Sequence, residues 1–180
     1  FVIELMAKTT DEIIAVNSGS APNIAFGRLT PDNVTGNSVT QWHGGNNLYF
    51  WDRAYEYILR INTFLEKMEE VTITLDNKDV LVAEARFLRG WIYFNMIERF
   101  GDVPLVTETY ELGSDHTFTS TPFDQVVAFI ETEFAAIMPT LPKYYSSSDS
   151  NFGRPTQAIC QAILSRMHLY AASPLFNPNN

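Results

Sequence analysis

Residues 83–105 read AEARFLRGWIYFNMIERFGDVPL, and they carry more information about architecture than any other part of this chain. At 3.6 residues per turn the apolar residues fall into two separate stripes, so this helix needs two neighbours. One stripe contains Ala83, Phe87, Gly90, Phe94 and Ile97, and the other contains Ala85, Ile92 and Met96. Gly101 suits the left-handed residue beyond a helix C-terminus, and Pro104 cannot continue a helix. We therefore predict a helix over residues 78–100, inside a stack of helices.

Three further helices are predicted from the same kind of periodicity. The first covers residues 48–68, and its apolar face is centred on Asn62. The next begins at Thr121, a favourable N-cap, with Pro122 at the first helical position. The last covers residues 156–172, where apolar residues recur along one side. The predicted fold class is all-α, with tetratricopeptide-like helical hairpins and long irregular loops.

The helices group into two consecutive pairs, within residues 49–100 and 121–173. Corresponding helix starts lie roughly 75 residues apart, so the likeness to 34-residue tetratricopeptide repeats is one of outline. Residues 1–48 are rich in Asn, Gly, Ser and Thr and are predicted to form an irregular N-terminal loop region. The chain starts with FVIEL, without initiator Met or signal peptide, so we expect one incomplete helical domain of a longer protein over residues 1–180.

The charge balance argues against several classes of partner. Twelve Lys and Arg residues against 21 Asp and Glu residues leave a formal net charge of −9, and no basic cluster is present. Nucleic-acid binding and attachment to anionic lipid through a basic face are therefore disfavoured. No apolar run approaches the roughly 18 residues that a membrane-spanning helix needs. Cys160, the single cysteine, is predicted to be a buried, inert thiol rather than a nucleophile.

Three polar residues interrupt the apolar faces of the predicted helices. Asn62 is expected to clamp a neighbouring backbone, with contact to a ligand as the alternative. Arg86 and Arg89 are expected to pair with a carboxylate or to cap carbonyl groups, with contact to a substrate or partner as the alternative.

No catalytic or metal-binding motif is evident. His43, His116 and His168 lack the spacing of metal ligands, so neither a metal nor a cofactor is predicted. Asp11 and Glu12 could form half of an acid/base pair, but solvated carboxylates are commoner, and a glycoside hydrolase would need a second carboxylate across a cleft. The sequence offers no positive support for an enzyme.

The segment VTQWHGGNNLYFW at residues 39–51 mixes aromatic and amide side chains with glycines. Flat aromatic faces such as Trp42 and Tyr49 stack on sugar rings, while His43 and Asn47 can bond hydroxyl groups. This mixture favours glycan recognition. The alternative is that Trp42 and Tyr49 only anchor the loop on the helices.

The combination AEARFLR…RFGDVPL at residues 83–105 resembles the signature of the SusD/RagB family of outer-membrane nutrient-binding lipoproteins. Residues 50–65, FWDRAYEYILRINTFL, resemble the first long repeat helix of that family. Residues 121–141 and 153–170 resemble its second helical pair, and the likeness covers most of the chain.

The resemblance implies an all-α, non-enzymatic protein, lipid-anchored on the surface of a Bacteroidetes-type outer membrane. It implies delivery of glycans, or sometimes peptides, to a SusC-like TonB-dependent transporter. Ligand contacts would come partly from N-terminal loops, where Asp11, Trp42 and Asn47 lie, and partly from residues outside this chain. The lipid-bearing Cys and two further helix pairs would also lie outside it.

The leading hypothesis is therefore a surface nutrient-binding protein for glycans. Trp42 and Tyr49 would stack on sugar rings, while Asp11, His43 and Asn47 would bond hydroxyl groups. The alternatives are a helical-repeat scaffold that binds only proteins, and a peptide-binding member of the same family.

Overall fold

The computed structural model describes residues 51–71, 77–110 and 117–177. Within these residues lie helices α1 (Trp51–Glu70), α2 (Lys78–Phe100), α3 (Phe123–Ile137) and α4 (Gln157–Ala171). The described residues form no β-strand, and their isolated β-bridge joins Val103 to Thr121. The all-α fold class is confirmed. The division into two helix pairs stays a prediction, and residues 1–48 lie outside the described part of the chain.

Helix α2 is the centre of the core, because both predicted stripes are buried. It packs most closely against α3 and also contacts α4. The Phe134 ring of α3 lies against Gly90, where a Cβ atom would be 2.5 Å from Cε1 of this fully buried side chain. The Phe134 ring also stacks on Phe87, with 5.4 Å between centroids. The absence of a side chain at Gly90 therefore makes room for the Phe134 ring.

Residues 103–109, which we call the crossing segment, run beside α1 and α2 without a strand partner for most of their length. Side chains satisfy its buried backbone groups instead, as a buried peptide requires. The Tyr93 hydroxyl donates to Val106 O at 3.0 Å and accepts from Val106 N at 2.7 Å. The Tyr55 hydroxyl donates to Pro104 O at 2.8 Å. The two tyrosines thus attach this segment to both helices.

The start of α3 differs from the prediction. Pro122 occupies the N-cap position and Phe123 is the first helical residue, so the assignment of Thr121 as N-cap was wrong. Asp102 supplies the cap instead, because its Oδ1 accepts the backbone N–H of Phe123 at 2.9 Å. Thr121 is held in the bridge to Val103, and its hydroxyl accepts Leu105 N at 3.3 Å. Gly101, with φ of 70°, ends α2 and turns the chain immediately before Asp102.

Helix α4 begins at an N-cap, Thr156, whose side chain accepts Ile159 N. Its buried residues are Cys160, Ile163 and Met167. Ile159, on the predicted apolar side, is 40% exposed, so only part of that side is covered within the described residues. The prediction of a buried thiol is confirmed, and burial raises the pKa of Cys160 to about 11, which keeps it protonated near neutral pH.

Replacing Gly90 with Ala should lower the free energy of unfolding by about 1–3 kcal/mol, although alanine favours helix formation. The added methyl group has no room beside the fully buried Phe134 ring. Urea denaturation measures the change. In a Phe134→Leu background the same substitution should cost much less, and an equal cost in both backgrounds would contradict this account.

Replacing Asp102 with Ala should destabilise the protein by about 1 kcal/mol, because Phe123 N loses its acceptor. Asp102→Asn keeps a side-chain carbonyl oxygen and should retain most of that stability. Thermal unfolding of the two variants compares them directly. If both lose the same stability, the capping role of Asp102 is wrong.

Candidate functional site

A shared carboxylate joins α2 to α3. Arg86 and Arg89 lie one helical turn apart on α2, and both reach Glu133 of α3. Arg86 donates from Nε at 3.1 Å and from Nη2 at 2.8 Å, while Arg89 donates from Nη2 at 2.9 Å. The side chains of Arg89 and Glu133 are each only 9% exposed. Such a buried carboxylate is stable only because cations surround it.

Arg89 also extends the network to α1 and the crossing segment. Its Nη1 donates to Asn62 Oδ1 at 2.8 Å and to Thr107 O at 3.3 Å. The amide nitrogen of Asn62 then donates to Val106 O at 3.2 Å and Glu108 O at 3.1 Å. The expected structural roles of Asn62 and the two arginines are therefore confirmed. Sequence reasoning missed Glu133, although its place in the buried face of α3 was a signal that a charged partner must exist.

The charges of this network determine how Glu133 titrates. Burial alone would raise the pKa of Glu133, but hydrogen bonds from Arg86 and Arg89 outweigh burial and hold it below its ordinary value. Two guanidinium groups against one carboxylate leave one excess positive charge. Among the described residues, Arg89 Nε has no hydrogen-bond acceptor, and no hydrogen bond uses Arg86 Nη1.

The network forms the bottom of a cleft of about 760 Å³, which we call the polar cleft. Its floor consists of the buried Asn62, Arg89 and Glu133 and the partly exposed Arg86, and its walls come from α1, α2 and residues 107–109. Four exposed acidic residues form the rim, namely Glu66, Glu69, Asp79 and Glu108. The volume lies within the roughly 300–1,000 Å³ typical of small-ligand sites.

A second concavity of about 480 Å³ lies between α2 and α4. It is lined mostly by apolar side chains, including Phe87, Phe94 and the 38% exposed Trp91. Arg166 contributes the charged group, and its guanidinium lies 5.8 Å from the Phe94 ring centroid. Few convergent polar groups are available here, so the polar cleft is the better candidate for a polar ligand.

The five residues for which the sequence predicts ligand contacts lie outside the described residues. They are Asp11, Trp42, His43, Asn47 and Tyr49. Their roles stay predictions. In the described part of the chain, no three His, Cys, Asp or Glu side chains come together as a metal site would require.

Comparison with known proteins places the chain in a family. Residues 9–169 match the model of a SusD-like family, described as starch-binding and associating with the outer membrane. The chain belongs to this family. None of the helices in residues 51–71, 77–110 and 117–177 has the length and apolarity needed to cross a membrane.

Individual relatives agree with this assignment. SusD-like protein P2 of Formosa agariphila is 24% identical over 123 residues, which are 67% of this chain and 23% of that protein. Surface glycan-binding protein A of Bacteroides uniformis is 32% identical, with 70% of this chain and 28% of that one covered and a TM-score of 0.59. A laminarin-binding SusD-like protein shares the fold at 22% identity and a TM-score of 0.68, over 94% of this chain and 38% of that one. The chain thus spans about a quarter to two fifths of these relatives.

Replacing Glu133 with Gln should destabilise the protein by about 3–5 kcal/mol, because two largely desolvated guanidinium groups lose their counter-charge. A carboxyl group whose pKa is lower in the folded state stabilises the fold above its unfolded pKa of roughly 4.3. That stability is lost as the pH falls through the lower folded pKa. The wild type should therefore lose more stability than Glu133→Gln when the pH drops below about 4.3.

Urea denaturation between neutral and acidic pH measures both effects. The matched control is Glu131→Gln on the same helix, where the exposed carboxylate pairs with the exposed His168. This control should lower the free energy of unfolding by less than about 1 kcal/mol. Equal losses for the two variants at neutral pH would contradict the role of Glu133.

Proposed function

We propose that the protein is a non-catalytic, surface-exposed glycan-binding protein that delivers its ligand to a SusC-like TonB-dependent transporter. The observation that carries the proposal is the family match over residues 9–169, with its starch-binding and outer-membrane description. The 32% identity to a surface glycan-binding protein of Bacteroides uniformis supports glycans as the ligand class. The protein would be held at the outer membrane by an N-terminal lipid anchor.

The chemistry of the N-terminal region supports the same ligand class. Trp42 and Tyr49 offer flat apolar faces to the axial C–H groups of sugar rings. Asp11, His43 and Asn47 supply hydrogen-bond partners for hydroxyl groups. In this proposal the helices serve stability and docking to the transporter, while the loop before α1 binds the glycan.

Replacing Trp42 with Ala in the full chain should weaken glycan binding about tenfold, because loss of a stacking ring removes on the order of 1.4 kcal/mol. Isothermal titration calorimetry with maltoheptaose and laminarihexaose measures the dissociation constants. Trp91→Ala, which removes another partly exposed indole, is the matched control and should leave them unchanged.

Two outcomes would overturn parts of this proposal. Absence of binding to every oligosaccharide in a broad panel would remove the glycan-binding function. Undiminished binding by Trp42→Ala would remove only the role of that residue. Affinity purification from outer membranes should recover the transporter with both wild type and Trp42→Ala, since docking is assigned to the helices.

A further inference from the structure

We propose that the polar cleft is a second saccharide subsite, which binds a neutral, hydroxyl-rich segment of the glycan. This inference rests on the proposed glycan-binding function and adds a site formed by α1, α2 and residues 107–109. The cleft has donors at its floor, acceptors at its rim and an apolar wall. Each feature matches a different part of a sugar ring.

The floor provides hydrogen-bond donors that the protein itself leaves unused. Arg86 is 30% exposed at the side chain and lines the cleft, and no hydrogen bond in the described residues uses its Nη1. Glu133 fixes the other edge of the same guanidinium through two hydrogen bonds. The free edge is therefore held in place before any ligand arrives, which reduces the entropy lost on binding.

The rim provides acceptors. Within the described residues, the carboxylates of Glu69, Asp79 and Glu108 have neither a hydrogen-bond nor an ion-pair partner. A carboxylate accepts hydrogen bonds from sugar hydroxyl groups without itself needing a donor. Leu65, Met68 and Val82 line the cleft between these polar groups and offer apolar contact to sugar C–H groups.

The arrangement of charges favours a neutral ligand. The lining carries three cationic and five anionic side chains, so a polyanionic glycan meets net repulsion at the rim. A cationic ligand is repelled at the floor, where two arginines share one carboxylate. A hydroxyl group both donates and accepts, so a neutral oligosaccharide satisfies floor and rim together.

The test uses the double variant Glu69→Gln/Asp79→Asn in the full chain, titrated calorimetrically with maltoheptaose and laminarihexaose. Loss of two exposed, charged acceptors should weaken binding about tenfold, which corresponds to about 1.4 kcal/mol in total. The matched control is Asp124→Asn, which also lies in the first turn of a helix but outside the cleft. It should leave the dissociation constants unchanged.

A steric variant, Val82→Trp, narrows the cleft at its apolar wall without altering its charges and should weaken binding to a similar extent. Thermal unfolding verifies that each variant is folded. Wild-type affinity in both the double variant and Val82→Trp would overturn the subsite. Tighter binding of an oligogalacturonate than of the neutral glucans, lost in Arg86→Gln, would overturn the assignment of a neutral ligand.

Failure of this inference is distinguishable from failure of the proposed function. Suppose that the wild type binds glucans, that Trp42→Ala weakens this binding and that the cleft variants do not. The subsite is then wrong, and the proposed function stands. If the wild type binds no oligosaccharide at all, the proposed function fails, and the subsite fails with it.

Discussion

Three helices depend on one carboxylate. Glu133 comes from α3, its two arginine partners come from α2, and Arg89 continues through Asn62 to α1. Neither Glu133 nor Arg89 would be stable alone in its buried position, because an unpaired buried charge costs several kcal/mol. Each helix therefore stabilises the polar groups of the next. The crossing segment joins the same network because Asn62 and Arg89 bond its carbonyl groups.

Apolar packing makes this ion network possible. Gly90 adjoins Arg89 in sequence, and Phe134 adjoins Glu133, so the contact of Gly90 with Phe134 lies directly beside the charged pair. A larger residue at Gly90 would separate the helices and lengthen the hydrogen bonds beside it. Coulombic attraction weakens with distance and with entry of water. The aromatic contact and the salt bridge are thus two consequences of a single small residue.

The helices and their core faces were predictable because periodicity is a local property. Both stripes of α2 are buried as predicted, and so is the apolar face of α3. The cap of α3 was not predictable, since Asp102 lies 21 residues before the N–H group it accepts. The place of Glu133 in the buried face of α3 indicated that it needed a charged partner, but its partners could not be identified because they lie on another helix. The candidate ligand residues from Asp11 to Tyr49 lie in a region without periodicity, so only their chemistry could suggest a role.

The buried network also limits how this part of the chain can recognise a ligand. Asn62 and Glu133 are buried and already bond to several protein partners, so their main contribution is to shape the polar cleft. Recognition there falls to the free edge of Arg86 and to the rim carboxylates, all of which act along the edges of a sugar ring. Trp42 and Tyr49, which we propose as stacking residues, would act mainly on ring faces. A glycan-binding protein that uses both would distinguish sugars by their hydroxyl pattern as well as by their flat apolar surface, because each kind of contact reads a different part of the ring.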